Sequence, residues 1–286
     1  MRERSRLAVL ADDPRPPATP GLGTLGRVVR AGWPRAGSGQ GRLPGVLVAL
    51  TVVTGLVDAV SYLALGHVFV ANMTGNVVFL GFALAGAPGL SAPASLAALG
   101  AFLLGAAIGG RITVRYGGQQ GRHLRTATTI AGAVVLLATL LAALLGQPVA
   151  EEARYALIVP LAVAMGIQNA TARHLAVPDL TTTVLTLTLT GIAADSRLAG
   201  GRGGDPARRL IAVTAMFTGA LLGALLVTHV DLVLPLAIAA ALIGASALAA
   251  RGVDGHAASA GPGGGIPWAE RSRGRPRAAG PRRRAT

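Results

Sequence analysis

One stretch of the sequence carries no charge. From Ala59 to Gly110, 52 consecutive residues contain no Asp, Glu, Lys or Arg. A soluble domain carries roughly 25% charged residues, whereas this chain of 286 residues carries 13%. Predominantly apolar stretches of about 20 residues cross a bilayer as helices. The sequence therefore predicts an all-α, polytopic helical membrane protein whose surroundings are the lipid bilayer.

The charge that the chain does carry lies mostly near its two ends. All 26 basic residues are Arg, eight of them before Leu43 and seven from Arg271 onward. Residues 1–42 and 251–286 have no apolar period, so we predict disordered cytoplasmic tails on either side of a transmembrane domain, 43–250. The tails could bind anionic lipid headgroups, but a solvated tail that fixes topology is the favoured interpretation. Nucleic acid is not expected as a partner because no folded basic face accompanies the charge.

Eight apolar segments make up the transmembrane domain. They are 43–65, 68–86, 94–113, 127–147, 153–172, 180–196, 207–228 and 232–250. Cytoplasmic loops carry the excess of Arg, and the loops 114–126 and 197–209 hold most of the internal Arg. These two loops can share the cytoplasmic side with both tails only if the segments 68–86 and 180–196 do not cross the membrane. Each of them would enter and leave the bilayer on the same side. We therefore predict six spans plus two short re-entrant or broken segments, with both termini in the cytoplasm of a bacterium and Arg154 alone among the Arg residues outside.

The two halves of this domain, about 43–147 and 153–250, are predicted to be repeats. The aligned residues are Gly55 with Gly166, Asp58 with Asn169, Gly105 with Gly219, and Gly109 with Gly223. With one inserted residue, Thr74-Gly75-Asn76 aligns with Thr186-Leu187-Thr188. Each half holds three spans, an odd number, so the second half is predicted to be inserted upside down. Two inverted repeats with broken helices are an architecture of secondary transporters. Gly105, Gly109, Gly219 and Gly223 are expected to serve close helix packing. The Gly105/Gly109 face is also a candidate homo-oligomer interface.

Polar residues inside the apolar segments are the candidate substrate or ion pathway. Asp58 is the only carboxylate deep within a predicted span, and a group this costly in a membrane usually faces a cavity or a partner. We predict a proton or cation site there, with a structural hydrogen-bonded tie or an interfacial carboxylate as the alternatives. The other candidates are polar residues of the two short segments and two neighbouring amides: Asn72, Thr74, Gly75, Asn76, Thr183, Thr186, Gln168 and Asn169. Ordinary hydrogen bonding between helices is the competing explanation for the amides.

The sequence offers little for catalysis or metal binding. It contains no Cys, which excludes thiolate sites and disulfides. His67, His174 and His229 stand apart near segment ends and are expected to be interfacial residues. No nucleophile–base pair or nucleotide-binding motif stands out. We therefore expect no enzyme, no metal and no cofactor.

Two long motifs resemble a known family. The stretch GLVDAVSYLALGHVFVANMTGNVVFLG from Gly55 and the stretch MGIQNATARHLAVPDLTTTVLTLTLT from Met165 are similar to signatures of the YoaK-type family of bacterial inner-membrane proteins. The resemblance covers about 43–250. It implies a multi-pass plasma-membrane protein without an established substrate, and it supplies no catalytic residues.

The function expected from the repeat argument is that of a small secondary transporter or permease for a small solute, with Asp58 coupling a proton. A non-transporting membrane scaffold or partner subunit is the alternative. The exclusive use of Arg together with 40 Gly is typical of an actinobacterial composition. The composition says little about mechanism.

Overall fold

The computed structural model describes residues 43–116, 118–175, 185–196, 199–200 and 206–252, and the tails 1–42 and 253–286 lie outside this part of the chain. Within it the chain forms eight α-helices and no strand. They are α1 (Leu43–Ala64), α2 (Met73–Leu84), α3 (Ala92–Tyr116), α4 (Gln120–Leu145), α5 (Glu151–Leu175), α6 (Leu185–Ala194), α7 (Pro206–His229) and α8 (Val233–Ala249). Each helix falls on one of the eight apolar segments, so the all-α prediction is confirmed.

Helix length separates spanning candidates from short segments. Five helices, α1, α3, α4, α5 and α7, are long and apolar enough to cross a bilayer. Helix α8 has 17 residues, which is about 26 Å of helix and close to the lower limit for a span. Helices α2 and α6 have 12 and 10 residues, too few to cross as helices. The fold is that of a polytopic helical membrane protein.

The long helices pack in two matched pairs, α1 on α7 and α3 on α5. Glycines bring the paired backbones into contact. A Cβ atom at Gly55 would meet the backbone of Gly219 on α7, and one at Gly166 would meet the backbone of Gly105 on α3. A Cβ atom at Gly109 would lie 2.7 Å from the Cβ atom of Ala170 on α5. Side chains larger than Gly would therefore separate the helices, and the Gly105/Gly109 face is covered by α5 of the same chain.

Helices α1 and α5 form the centre of the bundle. In their most apolar windows 72% and 67% of the residues are buried, against 33% in α3 and 22% in α7. Helix α4 packs on α5 and on α8, and α8 also packs on α1. The outward faces of α3 and α7 present large apolar side chains such as Leu103, Leu104 and Phe217. An apolar outer surface around a buried centre is what a bilayer requires.

The two short helices lie on different partners. Helix α2 packs on α3 and α6 packs on α7. Each buries a single side chain of its own helix, Asn76 in α2 and Thr188 in α6. The predicted transporter would bring the segments 68–86 and 180–196 together near the midplane. Residues 180–184 lie outside the described part of the chain, and within that part α2 and α6 have different partners.

Candidate functional site

The connection between α1 and α2, residues 65–72, is not helical, yet much of it is buried. Leu65, Val68, Val70 and Ala71 are each 5% exposed or less. Outside a helix these residues lose the intrahelical partners of their N–H and C=O groups, and each unsatisfied group costs several kcal/mol in hydrocarbon. The backbone of this connection therefore needs other hydrogen-bond partners. Asp58 and Asn76 provide them.

Asp58 lies on α1 and is 3% exposed. Its Oδ1 accepts hydrogen bonds from the backbone N–H groups of Val70 at 3.0 Å and Ala71 at 2.9 Å. Its Oδ2 accepts one from the side-chain amide of Asn72. Asp58 stands six residues before the end of α1, about 9 Å along the helix axis. The chain after α1 therefore turns back beside the helix that it has just left.

Asn76 holds the same connection from α2 and is fully buried. Its Oδ1 accepts the backbone N–H of Phe69 at 2.9 Å, and its Nδ2 donates to the carbonyl oxygen of Phe69 at 2.5 Å. One side-chain amide thus satisfies both backbone groups of a residue that belongs to no helix. Three of the predicted residues, Asp58, Asn72 and Asn76, are brought together here by the backbone that they support.

An aromatic cluster closes this region. The ring of Phe69 stacks on Tyr62 at 5.1 Å and on Phe79 at 5.6 Å between ring centroids. Gly75 makes room for it, since a Cβ atom there would lie 2.6 Å from the Phe69 ring. Helix α2 runs unbroken through Gly75, so this glycine serves a close contact and not a helix break. Thr74 is exposed and lies outside the hydrogen-bonded group.

The two neighbouring amides of the second half, Gln168 and Asn169, have different surroundings. Gln168 is buried between α5 and α1, and its Nε2 donates to the carbonyl oxygen of Leu50 and to the hydroxyl of Thr54, both at 3.0 Å. Its Oε1 is buried and has no partner among the described residues. The side chain of Asn169 donates to the carbonyl oxygen of Met165 on its own helix at 2.9 Å.

Asn169 also lines a cleft of about 650 Å³ between α3 and α5. Phe102, Thr113, Arg173 and His174 are among the other lining residues. The cleft is part polar, with an amide, a hydroxyl, an imidazole and a guanidinium group. The matching position of the first half, Asp58, is instead covered by the chain that follows α1.

The second short segment is only partly described. Thr183 lies outside the described residues. Thr186 is exposed on α6, and Thr188 is the buried hydroxyl of that helix. The alignment pairs Thr188 with Asn76, so the buried polar residue falls at corresponding places of α2 and α6. Thr186, which was singled out as a pathway residue, does not face the interior.

The sequence analysis overlooked one histidine. His123 on α4 is fully buried, its Nε2 lies 3.2 Å from the hydroxyl of Thr113, and its ring meets the ring of His174 edge-on at 4.9 Å. His174, taken as isolated, therefore has a neighbour on another helix. Thr113 immediately precedes the Arg-rich loop 114–126 and His123 lies within it, and this proximity in the sequence was the available signal.

A second pocket, of about 400 Å³, lies at the end of the bundle where α1 finishes. Its lining comes from three separate places: the end of α1 with Gly66 and His67, the connection before α3 with Gly89 to Ser91, and the start of α5 with Glu151 and Arg154. The connection after α2 therefore returns to the end of the molecule at which α1 finishes.

These features define a class of protein: an all-helical, multi-pass membrane protein with a non-helical segment held inside its bundle. The chain belongs to the family described as a protein of unknown function, DUF1275, whose model matches residues 46–249. This match, together with the YoaK relative described next, confirms membership of the YoaK-type family inferred from the two motifs.

One relative carries a descriptive name. Over 150 residues the chain is 35% identical to the UPF0700 transmembrane protein YoaK of Bacillus subtilis (strain 168). The alignment covers 52% of this chain and 65% of that relative. No solved structure matches the chain at a significant level.

Proposed function

We propose that this protein is a small secondary transporter or permease for a small solute, coupled to protons through Asp58. The observation that carries the proposal is a buried carboxylate that holds a non-helical segment inside an apolar bundle. Ionisable residues inside membrane segments usually mark substrate or proton pathways. Discontinuous helices near the centre of the bundle are a recurring feature of secondary transporters.

The matched helix pairs support an inverted repeat. A Cβ atom at Gly219 on α7 would meet the carbonyl of Val52 on α1, and one at Gly105 on α3 would meet the carbonyl of Val163 on α5. The first helix of each half thus packs on the third helix of the other half, which is the second helix of spanning length there, through aligned residues. Such an exchange is expected when two copies of one unit are related by a two-fold axis.

The pocket at the end of α1 supports the re-entrant interpretation of α2. Since the chain on both sides of α2 lines that pocket, α2 enters and leaves at one end of the bundle. Together with the Arg-rich loop between α3 and α4, this favours six spans with both termini in the cytoplasm of a bacterium. The pocket then faces outward, and the cleft at His174 faces inward.

Asp58 is suited to act as a gate on the segment 65–72. Hydrogen bonds to a charged group contribute about 1.5–3 kcal/mol each, against about 0.5–1.5 kcal/mol for neutral pairs. The ionised carboxylate accepts two backbone bonds and one amide bond from this segment. Protonation would weaken all three and loosen the segment. Proton binding and opening of the site would in this way be linked.

The substitution Asp58→Asn tests the coupling without removing the fold. The new Oδ1 can still accept the N–H groups of Val70 and Ala71, and a flipped amide of Asn72 can accept from the new Nδ2. The full chain would be reconstituted in liposomes that enclose a pH-sensitive dye, and amino acids, carboxylates, sugars and nucleobases would be added in turn. We expect a solute-evoked pH change that Asp58→Asn abolishes.

Glu152→Gln is the matched control, because Glu152 is an exposed carboxylate outside the Asp58 group. It should leave the pH change intact. An unchanged signal in Asp58→Asn would reject the coupling role of Asp58. If no solute moved protons in the unmodified protein, the alternative of a membrane scaffold or partner subunit would be favoured. Deletion of 1–40 and 255–286 would then test whether the basic tails bind lipid or protein.

A further inference from the structure

The pocket at the end of α1 is lined by an arginine, Arg154. Arg154 has no ion pair or hydrogen bond among the described residues, and its Nε is buried without a partner. Burying part of a guanidinium group without a counter-charge is costly. The planar fork of Arg is suited to bind a carboxylate through two parallel hydrogen bonds. The pocket is therefore arranged to receive an anionic group at Arg154.

A carboxylate lines the same pocket. Glu151 lies three residues before Arg154 on α5, a spacing that makes two side chains neighbours on a helix. No ion pair joins the two in the described part of the chain, although both face one pocket. A pocket with one positive and one negative group, neither of them paired within the described residues, matches a solute that carries both charges.

The pocket adjoins the segment that Asp58 holds. Arg154 packs on Gly66, where a Cβ atom would lie 3.4 Å from the nearest Arg154 nitrogen. The next residue, His67, has a left-handed backbone with φ 57°, a conformation that costs free energy for a residue other than Gly. A solute bound at Arg154 would touch the beginning of the segment 65–72, whose later residues are held by Asp58.

We propose that this pocket binds a small zwitterionic solute of the amino-acid type, with its carboxylate on Arg154 and its ammonium group near Glu151. The site would be the outward recognition site of the proposed transporter, so the inference rests on the proposed function for its biological meaning. Binding itself does not depend on transport. A binding measurement can therefore fail or succeed independently of the transport assay.

The Cys-free chain allows a direct test. Leu90→Cys places a reporter thiol in the pocket lining, and the full-length variant in proteoliposomes would be labelled with a membrane-impermeant maleimide. The proteinogenic amino acids would be tested one by one as protectants, with acetate and ethylamine as probes that carry a single charge. We expect at least one amino acid to slow labelling, by about sixfold at five times its Kd, because only empty pockets react.

Substitutions in the pocket assign the two charges. Arg154→Gln should abolish the protection, and since Arg154 makes no bond in the described part of the chain, the variant should still elute as a single species on gel filtration. Glu151→Gln should weaken protection by amino acids more than any protection by acetate. Glu152 lies outside the pocket lining, so Glu152→Gln should leave the protection of Leu90→Cys by amino acids unchanged.

Three results would overturn the proposal. In the first, no amino acid slows the labelling of Leu90→Cys. In the second, an amino acid still protects when Arg154→Gln is added. In the third, acetate protects as strongly as the best amino acid. The last would identify a plain anion site. Asp58→Asn should leave protection in place, so that loss of transport and loss of binding are separable.

Discussion

Asp58 and Asn169 stand at matching positions in the two halves and have different surroundings. Each follows by three residues a glycine that touches the other half, Gly55 or Gly166. Asp58 is enclosed by the segment 65–72, which uses both of its oxygens, whereas Asn169 lines an open cleft. The two halves therefore share their helix packing but differ in the polar surroundings of this position.

The largest expected loss of stability comes from a substitution in the first half, at Asp58. Asp58→Leu leaves the N–H groups of Val70 and Ala71 and the amide of Asn72 without their acceptor. Each buried unsatisfied group costs about 1–3 kcal/mol, so the free energy of unfolding should fall by several kcal/mol and little monodisperse protein should be recovered. Gel filtration in detergent and a thermal unfolding curve measure this. Asp58→Asn, the control, should be recovered normally; equal recovery of Asp58→Leu would refute the role of Asp58 as a tie.

An intermediate effect should be the same in both halves. Gly105→Ala and Gly219→Ala each place a methyl group against the backbone of a partner helix, and overpacking of this kind costs about 1–3 kcal/mol. Gly100→Ala on α3 meets no atom within 4 Å and should be neutral or slightly stabilising. Unfolding by SDS titration compares the three. Destabilisation by only one of the first two would show that the helix pairs are not equivalent.

The smallest effect concerns the link between the central helices. Gln168→Met removes two hydrogen bonds to α1, but it also removes a buried Oε1 that has no partner among the described residues. Because hydrogen bonds between membrane helices contribute about 0.6 kcal/mol on average, the net change should stay below about 1 kcal/mol. The same SDS titration measures it. A loss as large as that of the glycine variants would mean that Gln168 is essential to the crossing of α1 and α5.

Hydropathy predicted the helices, because a helix that spans a bilayer needs a continuous run of apolar residues. Glycine spacing predicted the glycine contacts, because small residues four apart lie on one helix face. The role of Asp58 was harder to read. Its hydrogen bonds reach 12 to 14 residues along the chain, to backbone that becomes a partner only after it folds back. The stacking of Tyr62, Phe69 and Phe79 and the contact of His123 with His174 depend on the same long-range geometry. No periodic pattern in the sequence marks such pairs.

In the proposed topology the two halves are inserted in opposite directions, around two short segments that do not cross the membrane. Single cysteines at four exposed positions of the Cys-free chain test this: Pro88, Gly118, Gln147 and Ala199. Intact cells would be treated with an impermeant maleimide, and permeabilised cells would show that all four thiols can react. We predict labelling of intact cells at positions 88 and 147 only. Labelling at position 118 would mean that α2 crosses the membrane, and the inverted repeat would then be wrong.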